Sequence, residues 1–335
     1  MTTLTPPWRG VRFAPSPTGR FHLGNLRTAW ISWACARLLG EPWVVRFEDI
    51  DAPRVLPGAR ESQLEDLAAL GMVPDELHVQ SARIGRHWEV FLRGIAEGRV
   101  YPCICSRKEV QEVLHGIASA PHAEPPVYNG RCRPSEGAPA PTESELRARL
   151  SGHPHPTIAW RLRAAGAGGE QDIIIARTER APRRLSGPEA AGFAPSYHWA
   201  CAIDDWDGGY RLLVRAWDLE SATSHQRAIQ SWLRGSEGGA RAASPPPAVY
   251  HTALVTTDEG GRLEKRTRGV TWPELEARGI PMEVLVSRFL ASWGEGRSFE
   301  GLRRWLELSL AAPDGVSGEA SRTMTLSRLG IHCAR

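Results

Sequence analysis

One short stretch near the N-terminus constrains the fold of this chain more than any other. Residues 12–25 read RFAPSPTGRFHLGN, so an apolar strand around Val11 and Phe13 runs through a Pro/Gly loop into an amphipathic helix. Unpaired backbone N–H groups and the helix dipole make such a junction a binding site for anions. His22 can donate a hydrogen bond to a phosphate oxygen there, and Gly24 lets a nucleotide lie against the backbone. An ordinary turn that happens to contain one histidine is the alternative.

Strands and helices are predicted to alternate along most of the chain. The predicted strands are residues 10–14, 42–49, 197–205, 210–216 and 248–257, and the predicted helices are residues 23–39, 62–70, 84–97, 221–234 and three helices after residue 271. Thr271, Glu274 and Gly279 supply the capping signals of the first of these three. Such alternation is typical of a doubly wound parallel sheet. Residues 164–196, rich in Ala, Gly, Pro and Arg, instead indicate a long loop.

Composition excludes some classes of protein. The 335 residues carry a net charge of +3, which does not indicate a strongly basic nucleic-acid binder, although a local basic face remains open. No uninterrupted apolar stretch is long enough to span a bilayer, and the N-terminal MTTLTPPWRG lacks the layout of a signal peptide. We therefore expect a cytoplasmic protein whose six cysteines are reduced thiols or metal ligands rather than disulfides.

Three of the cysteines lie in the central region that interrupts the alternation. Cys103 and Cys105 are two residues apart, and Cys132 follows 27 residues after Cys105. Thiolates suit Zn²⁺, which takes four ligands in a tetrahedron at about 2.0–2.3 Å. The candidates for the fourth ligand are Tyr128, His115, His122 and water. A zinc site of this kind is more often a structural clip than a catalytic centre, and three buried thiols without metal are the alternative.

Two clusters of charged residues complete the set of candidate site elements. The first follows the second predicted strand and contains Arg46, Glu48, Asp49, Asp51 and Arg54; the second is the loop GGRLEKRTRG, with Arg262, Lys265, Arg266 and Arg268. Glu48 at a strand end can bind a cationic amino group. The loop can close over a polyphosphate and neutralise charge that develops during group transfer. Solvated surface charges are the alternative for both clusters.

Lysine is scarce in this chain, which draws attention to the second cluster. The chain has 39 arginines and only two lysines, one of which is Lys265. A compact ammonium group can make contacts that a planar guanidinium cannot. A lysine kept in a chain that otherwise uses arginine almost everywhere therefore suggests a chemical need.

Four sequence motifs, in their order along the chain, resemble the catalytic core of class I glutamyl-tRNA synthetases. The matching segments are residues 12–25, RFEDID at 46–51, VRAWD at 214–218 and RLEKR at 262–266, which correspond to the family's APSPTG-x-x-HxG, RxEDxD, VRxxD and KMSKS-type motifs. The chain ends 70 residues after Lys265, so we expect it to lack the anticodon-binding domain of a full synthetase. Together with the CxC…YxxxC pattern, this makes the resemblance closest to truncated paralogues that glutamylate the queuosine of tRNA(Asp).

The resemblance implies a fold and a reaction. The fold is an α/β, doubly wound, Rossmann-like parallel-sheet core with a zinc-containing insertion and a C-terminal helical region. The reaction is ATP-dependent activation of glutamate, with Mg²⁺ accompanying the ATP, followed by transfer to the queuosine base of tRNA(Asp). We expect a monomer with no membrane partner. The expected domains are residues 8–98 and 197–257 as the two halves of the nucleotide-binding core, residues 99–196 as the insertion, and residues 258–335 as the KMSKS-like loop and helical region.

The resemblance also implies a role for individual residues. The implied glutamate ligands are Arg12, Ser16, Glu48, Tyr197 and Arg215. The implied ATP-binding and catalytic residues are His22, Gly24, Asn25, Asp218 and Lys265. The implied zinc ligands are Cys103, Cys105, Tyr128 and Cys132.

Three residues depart from the family pattern. Arg262 replaces the first lysine of the KMSKS-type motif, Glu264 replaces its serine, and Ala216 stands where the truncated paralogues usually have glycine. Glu264 puts a carboxylate near the ATP phosphates unless it turns outward. Two alternative functions therefore stay open. One is glutamate transfer to another acceptor, such as a tRNA 3′ end, a carrier or a small amine, and the other is a noncatalytic RNA-binding paralogue.

Overall fold

The computed structural model describes most of the chain, and it divides into two units. The described residues are 9–105, 128, 130–135, 143–150, 157–163, 172–180, 187–237, 246–261, 263, 270–294, 299–311, 318–319, 321–329 and 331. The first unit comprises Met1–Ser81, Asp205–Thr223 and Arg234–Arg335, and the second comprises Ala82–Asp204 and Ser224–Leu233.

The secondary structure of the described residues follows an alternating order. The strands are β1 (Val11–Phe13), β2 (Trp43–Phe47), β3 (Glu76–Val79), β4 (Val100–Cys103), β5 (Ile158–Leu162), β6 (Ile173–Thr178), β7 (Ala194–Pro195), β8 (Leu212–Ala216), β9 (Ala248–Thr252), β10 (Leu254–Thr256) and β11 (Thr323–Thr325). The helices are α1 (Leu23–Leu39), α2 (Ala59–Ala69), α3 (Ile84–Ala96), α4 (Glu143–Leu150), α5 (Pro188–Ala191), α6 (Tyr197–Gly208), α7 (Ala222–Glu237), α8 (Trp272–Ala277), α9 (Met282–Gly294) and α10 (Phe299–Ala311).

A parallel sheet forms the centre of the first unit. Its order, over the strands that the structure describes, is β3-β2-β1-β8-β9, and every neighbouring pair is parallel. The chain winds outward from β1 in one direction and from β8 in the other, which defines a doubly wound sheet. The predicted α/β fold class is therefore confirmed. A separate parallel pair, β10 and β11, belongs to the same unit.

Helix α1 is enclosed by the sheet on one side and by α9 and α10 on the other. The indole of Trp30 lies with its ring centroid 6.1 Å from those of Phe289 and Trp293 on α9. Because the helix is enclosed, even the polar side chain of Arg27 is buried. Gly40 ends the helix with φ 66°, a left-handed conformation that glycine adopts without strain. These bounds, residues 23–39, are those predicted from the sequence.

The second unit contains an antiparallel sheet of order β4-β5-β6-β7 among its described strands. Its core is an aromatic cluster whose ring centroids lie 5.0–5.4 Å apart, formed by Trp88, Phe91, Trp160 and Phe193. The prediction of a long loop over residues 164–196 is wrong for the described part, where β6, α5 and β7 lie. The apolar run IIIA is short enough to be overlooked between Gly- and Arg-rich flanks. Residues 164–171 and 181–186 lie outside the described residues.

The prediction of a strand at residues 197–205 is also wrong. These residues form the greater part of helix α6. Trp199 to Trp206 are almost completely buried on every side. A segment buried all round has no polar face, so its apolar run cannot distinguish a helix from a buried strand.

The remaining predicted elements are confirmed with small shifts at their ends. The predicted strand at residues 248–257 is broken into β9 and β10 by Ala253. The capping box of Thr271 and Glu274 at the start of α8 is present as predicted. Within the described residues, no helix has the length and apolar character needed to cross a membrane.

Candidate active site

The order of the parallel sheet defines where a ligand can bind in the first unit. Strand connections change direction between β1 and β8, and the carboxyl ends of such neighbouring strands border the ligand crevice of open α/β sheets. The segment that follows β1 leads to His22, and the segment that follows β8 contains Asp218 in a short turn of 3-10 helix. Glu48 directly follows β2, the other neighbour of β1. The topology therefore brings three of the predicted site residues to one edge of the sheet.

His22 is the N-cap residue of α1. Its Nδ1 accepts hydrogen bonds from the backbone N–H groups of Gly24 at 3.1 Å and Asn25 at 3.4 Å. A ring nitrogen that accepts cannot carry the proton of a neutral imidazole, so the proton lies on Nε2. Gly24 packs closely, since an added Cβ would lie 3.0 Å from the imidazole and 3.5 Å from Val255. The capping role fixes the ring orientation and places the donor N–H of the neutral imidazole at Nε2.

The Pro/Gly loop before His22 is held by helix α2. Gln63 donates from Nε2 to the carbonyl oxygens of Ser16 at 3.1 Å and Gly19 at 2.6 Å. One turn later, Asp66 accepts from the side chain of Arg20 at 2.5 Å. It also accepts from the backbone N–H of Phe21 at 3.3 Å. Side chains of α2 therefore hold the loop that leads to His22 at several points.

A buried chain of charges links two of the predicted glutamate ligands. Arg12 donates to Asp205 from Nε at 3.0 Å and from Nη2 at 2.5 Å. Asp205 also accepts from Arg46 at 2.6 Å, and Arg46 donates in turn to Glu48 at 3.0 Å. Arg12, Arg46 and Asp205 are each at most 3% exposed. Two guanidinium groups and two carboxylates balance within this chain, as buried charges must.

The electrostatics of Asp205 follow from this arrangement. Burial by itself would raise the pKa of Asp205, but attraction to Arg12 and Arg46 and their hydrogen bonds outweigh it and lower the pKa. Burial would likewise lower the pKa of Arg12, whereas Asp205 raises it overall. The ion pair therefore stays charged across the physiological pH range.

Arg215 lies on β8 and donates hydrogen bonds to side chains of β9 and of helix α7. It donates from Nε to Nε2 of His251 at 3.2 Å and from Nη2 to the hydroxyl of Thr223 at 2.5 Å. His251 lies opposite Arg215 in the register of β8 and β9. The guanidinium of Arg215 is buried and its direction is set by these contacts.

The structure also describes two other residues of the predicted elements. Tyr197 is the first residue of α6 and belongs to the second unit. Asp49, in the same charged cluster as Glu48, accepts from the backbone N–H and the hydroxyl of Ser81, each at 2.8 Å. Asp49 therefore connects the end of β2 to the turn after β3.

The predicted phosphate loop leaves and rejoins the core beside α1. Lys265, Arg262, Glu264, Arg266 and Arg268 lie outside the described residues. Before them, Val255 of β10 packs at Gly24, and Leu263 is 3% exposed in the same apolar core as Leu23. After them, the N–H of Leu23 donates to the carbonyl of Val270 at 2.8 Å, and Thr271 bridges to His22. Both ends of the loop are thus fastened at the N-terminus of α1.

The predicted zinc ligands converge in the second unit. The Sγ atoms of Cys103, Cys105 and Cys132 lie within 4.8 Å of one another, and those of Cys105 and Cys132 are 3.5 Å apart. The Tyr128 hydroxyl lies 3.7 Å from Sγ of Cys103. A tetrahedral zinc with about 2.3 Å bonds to sulfur separates its sulfurs by about 3.8 Å, so this donor set fits Zn²⁺. His115 and His122 lie outside the described residues.

The surroundings of the cluster favour a thiolate. A hydrogen bond from Cys132 is the largest effect on Cys103; burial opposes it, but Arg161 adds to it, and the pKa of Cys103 falls to about 4. The guanidinium of Arg161 lies 3.7 Å above the ring of Tyr128.

Sequence reasoning missed three residues of the candidate site. Asp205 carried a signal, because a carboxylate at the end of an apolar run is seldom buried without a cationic partner. That signal was hidden by the strand assigned to the same residues. Gln63 and His251 carried no local signal, since each acts on a segment that lies far away in the chain.

Comparisons with known proteins agree with this geometry. Residues 10–298 match the family model "tRNA synthetases class I (E and Q), catalytic domain". Glutamyl-Q tRNA(Asp) synthetase of Burkholderia mallei is 32% identical over 323 residues, covering 94% of this chain and 99% of that protein. The Nocardia farcinica protein of the same name is 35% identical over 290 residues, covering 84% of each.

Solved structures give the same fold. A glutamate tRNA ligase from Elizabethkingia meningosepticum, in complex with its amino acid, has a TM-score of 0.53 and 25% identity. The match covers 77% of this chain but spans about half, 52%, of that protein. Glutamate-tRNA synthetase from Elizabethkingia anophelis has a TM-score of 0.59 at 21% identity over 96% of this chain and 69% of its own. The chain belongs to the class I tRNA synthetases of the E and Q type and is an aminoacyl-tRNA synthetase-type ligase.

Proposed function

We propose that this protein activates glutamate with ATP and transfers it to the queuosine base of tRNA(Asp). The observation that carries the activation step is the fastening of both ends of the predicted phosphate loop at His22 and Gly24. A triphosphate at the start of α1 would then meet cations from the loop as well as the helix dipole. The identity of the acceptor rests on the names of the relatives.

The chemistry of activation needs positioning and charge stabilisation rather than a covalent enzyme intermediate. The glutamate α-carboxylate attacks the α-phosphorus in line, and pyrophosphate leaves. In the proposal, Nε2–H of His22 and the backbone at Gly24 and Asn25 hold the phosphates. Lys265 stabilises charge at the α-phosphate, and Asp218 binds near the ribose. Mg²⁺ would accompany the ATP and offset phosphate charge.

Glutamate recognition would use both ends of the substrate. Arg12 donates from Nε and Nη2 to Asp205. Its Nη1, together with Arg215, is therefore proposed to bind the side-chain carboxylate of glutamate. Glu48 is anchored by Arg46, which orients its carboxylate toward a cationic α-amino group. Ser16 would contact the remaining polar atoms of glutamate.

Zinc would serve as a structural clip. Cys103, Cys105, Cys132 and Tyr128 would hold the ion and join segments that are otherwise far apart in the second unit. The ion would supply folding stability, and no step of activation or transfer needs it.

Two measurements test the proposal. Pyrophosphate exchange across all twenty amino acids, without tRNA, should be supported by glutamate alone; no exchange at high enzyme concentration would favour a noncatalytic RNA-binding protein. Transfer of labelled glutamate should then require queuosine in tRNA(Asp). Equal labelling of tRNA(Asp) with and without queuosine, or none, would favour a different acceptor.

A further inference from the structure

The chain at Gly318, beyond the residues 10–298 that match the family model, crosses closely over Trp217 and His251. Gly318 has φ 135°, and a Cβ there would lie 2.7 Å from both the carbonyl oxygen of His251 and the ring of Trp217. Any other residue would collide with both neighbours, so the crossing requires glycine. Trp217 immediately precedes Asp218, and His251 contacts Arg215. The crossing thus lies beside two elements of the proposed site.

The carboxylate of Glu319 binds both Arg27 of α1 and the backbone of Ala253, and these contacts form a clasp between the two segments. Arg27 of α1 donates to its carboxylate from Nη1 at 2.9 Å and from Nη2 at 2.5 Å. The same carboxylate accepts from the backbone N–H of Ala253, the residue between β9 and β10. The N–H of Glu319 donates to the carbonyl of His251 at 2.9 Å. One side chain therefore joins α1 to the start of β10, and the Arg27 side chain is 1% exposed.

The clasp holds the start of β10, the strand that leads into the predicted phosphate loop. Arg27 lies one turn after Gly24 on α1, and β10 ends at Thr256, four residues before the predicted loop of residues 260–269 begins. Thr28 adds a second tie, with its hydroxyl 2.8 Å from that of Thr252. Downstream of Glu319, β11 extends β10 as a parallel partner. Movement of β10 away from α1 would separate Val255, which packs at Gly24, from the N-terminus of α1.

We propose that Glu319 is a positioning residue that holds β10, the strand that leads into the predicted phosphate loop, against α1 near its N-terminus. The inference rests on the proposed ATP-dependent activation. A buried, bidentate ion pair forms only within a narrow range of distances and angles. It can therefore fix the position of β10 relative to α1 as well as add stability. The C-terminal segment is then part of the ATP-binding machinery.

The test is steady-state pyrophosphate exchange with active-site titration and thermal unfolding of the same samples. Glu319→Ala should raise the KM for ATP about tenfold, the worth of roughly one charged hydrogen bond, with little change in the KM for glutamate. Glu319→Gln keeps an acceptor for Ala253 and should restore most of the KM for ATP. It should not restore the melting temperature, because Arg27 stays buried without its counter-charge.

Two variants serve as controls. Ser292→Ala removes the bond that Arg27 Nε makes at 2.9 Å to α9, and Glu307→Gln removes an exposed ion pair with Arg303 on α10. Both should leave the KM for ATP unchanged. A lowered melting temperature in Glu319→Ala with an unchanged KM for ATP would overturn the proposal in favour of a purely structural clasp.

A second variant covers the case in which Glu319→Ala does not fold. Gly318→Ala keeps the carboxylate but displaces the crossing, and it should raise the KM for ATP in the same way; an unchanged KM would reject the proposal.

If the wild-type protein shows no glutamate-dependent exchange, the proposed function fails by itself. Calorimetric binding of ATP then decides this inference, which is rejected if Glu319→Ala binds ATP as the wild type does.

Discussion

Arg12 and Asp205 form a bidentate ion pair although 193 residues separate them in the chain. Asp205 is completely buried, and it also holds Arg46, the partner of Glu48. Asp205 thus orients Arg12 directly and Glu48 through Arg46, and it does not itself need to touch substrate. The relationship explains how a buried arginine can be kept charged and oriented at the edge of the sheet.

Asp205→Asn should weaken glutamate binding and destabilise the fold together. Removing one charge of a buried network leaves Arg12 and Arg46 undercompensated, at a cost of about 3 kcal/mol in the free energy of unfolding. The KM for glutamate in pyrophosphate exchange should rise about tenfold or more, while the KM for ATP changes little.

The neighbouring carboxylate offers a matched control for that variant. Asp204 is also buried and accepts from Arg83 at 2.7 Å and from His87 at 2.8 Å within the second unit. Asp204→Asn should therefore lose similar stability without raising the KM for glutamate. An equal rise in KM for both variants would mean that destabilisation alone accounts for the effect.

The same carboxylate predicts a pH dependence of stability. The pKa of Asp205 is lower in the folded protein than in the unfolded chain, because Arg12 and Arg46 outweigh the effect of burial. Its contribution is therefore fully present above the unfolded pKa of about 3.9 and is lost as the pH falls through the folded value. In urea unfolding, the difference between wild type and Asp205→Asn should be constant from about pH 5 to pH 8 and shrink below about pH 4. A difference that grew on acidification would contradict the assignment.

Paired variants of His22 separate its capping role from its proposed catalytic one. Asparagine is a good N-cap, so His22→Asn should keep the stability of α1 while losing the Nε2–H donor. We expect its exchange kcat to fall about 100-fold. His22→Ala should show the same fall and lose about 1 kcal/mol of stability in addition. If His22→Asn retained wild-type kcat, the histidine would be only a cap.

The cysteine cluster predicts the metal content of the purified protein. Atomic absorption should find about one zinc per chain, and Cys105→Ala or Cys132→Ala should lose it. Cys201→Ala changes another cysteine of the second unit, buried in α6 and outside the cluster, and should keep the metal.

Tyr128 can be tested separately as the fourth ligand. Tyr128→Phe removes only the hydroxyl that lies beside Cys103, and water would have to take its place. Competition with a chelator should then show about 10- to 100-fold weaker zinc affinity. Unchanged affinity would assign the fourth position to another ligand.

Local patterns in the sequence determined much of the fold. The strand–loop–helix of residues 11–39 and the capping box at Thr271 depend on residues close together in the chain, so their signals survive in the sequence alone. The CxC…YxxxC spacing predicted a cluster that the described residues bring together. The order of the four motifs indicated the family that the comparisons support.

Tertiary structure decided what the sequence could not. Helix α6 is buried from Trp199 to Trp206, which removed the periodicity that would have identified it and hid Asp205 as the partner of Arg12. Gln63, His251 and Glu319 act on segments that only folding brings near. Local propensity reports how a segment is built, but the partner of a buried charge is chosen by the whole packed core, where an unpaired charge is too costly to persist.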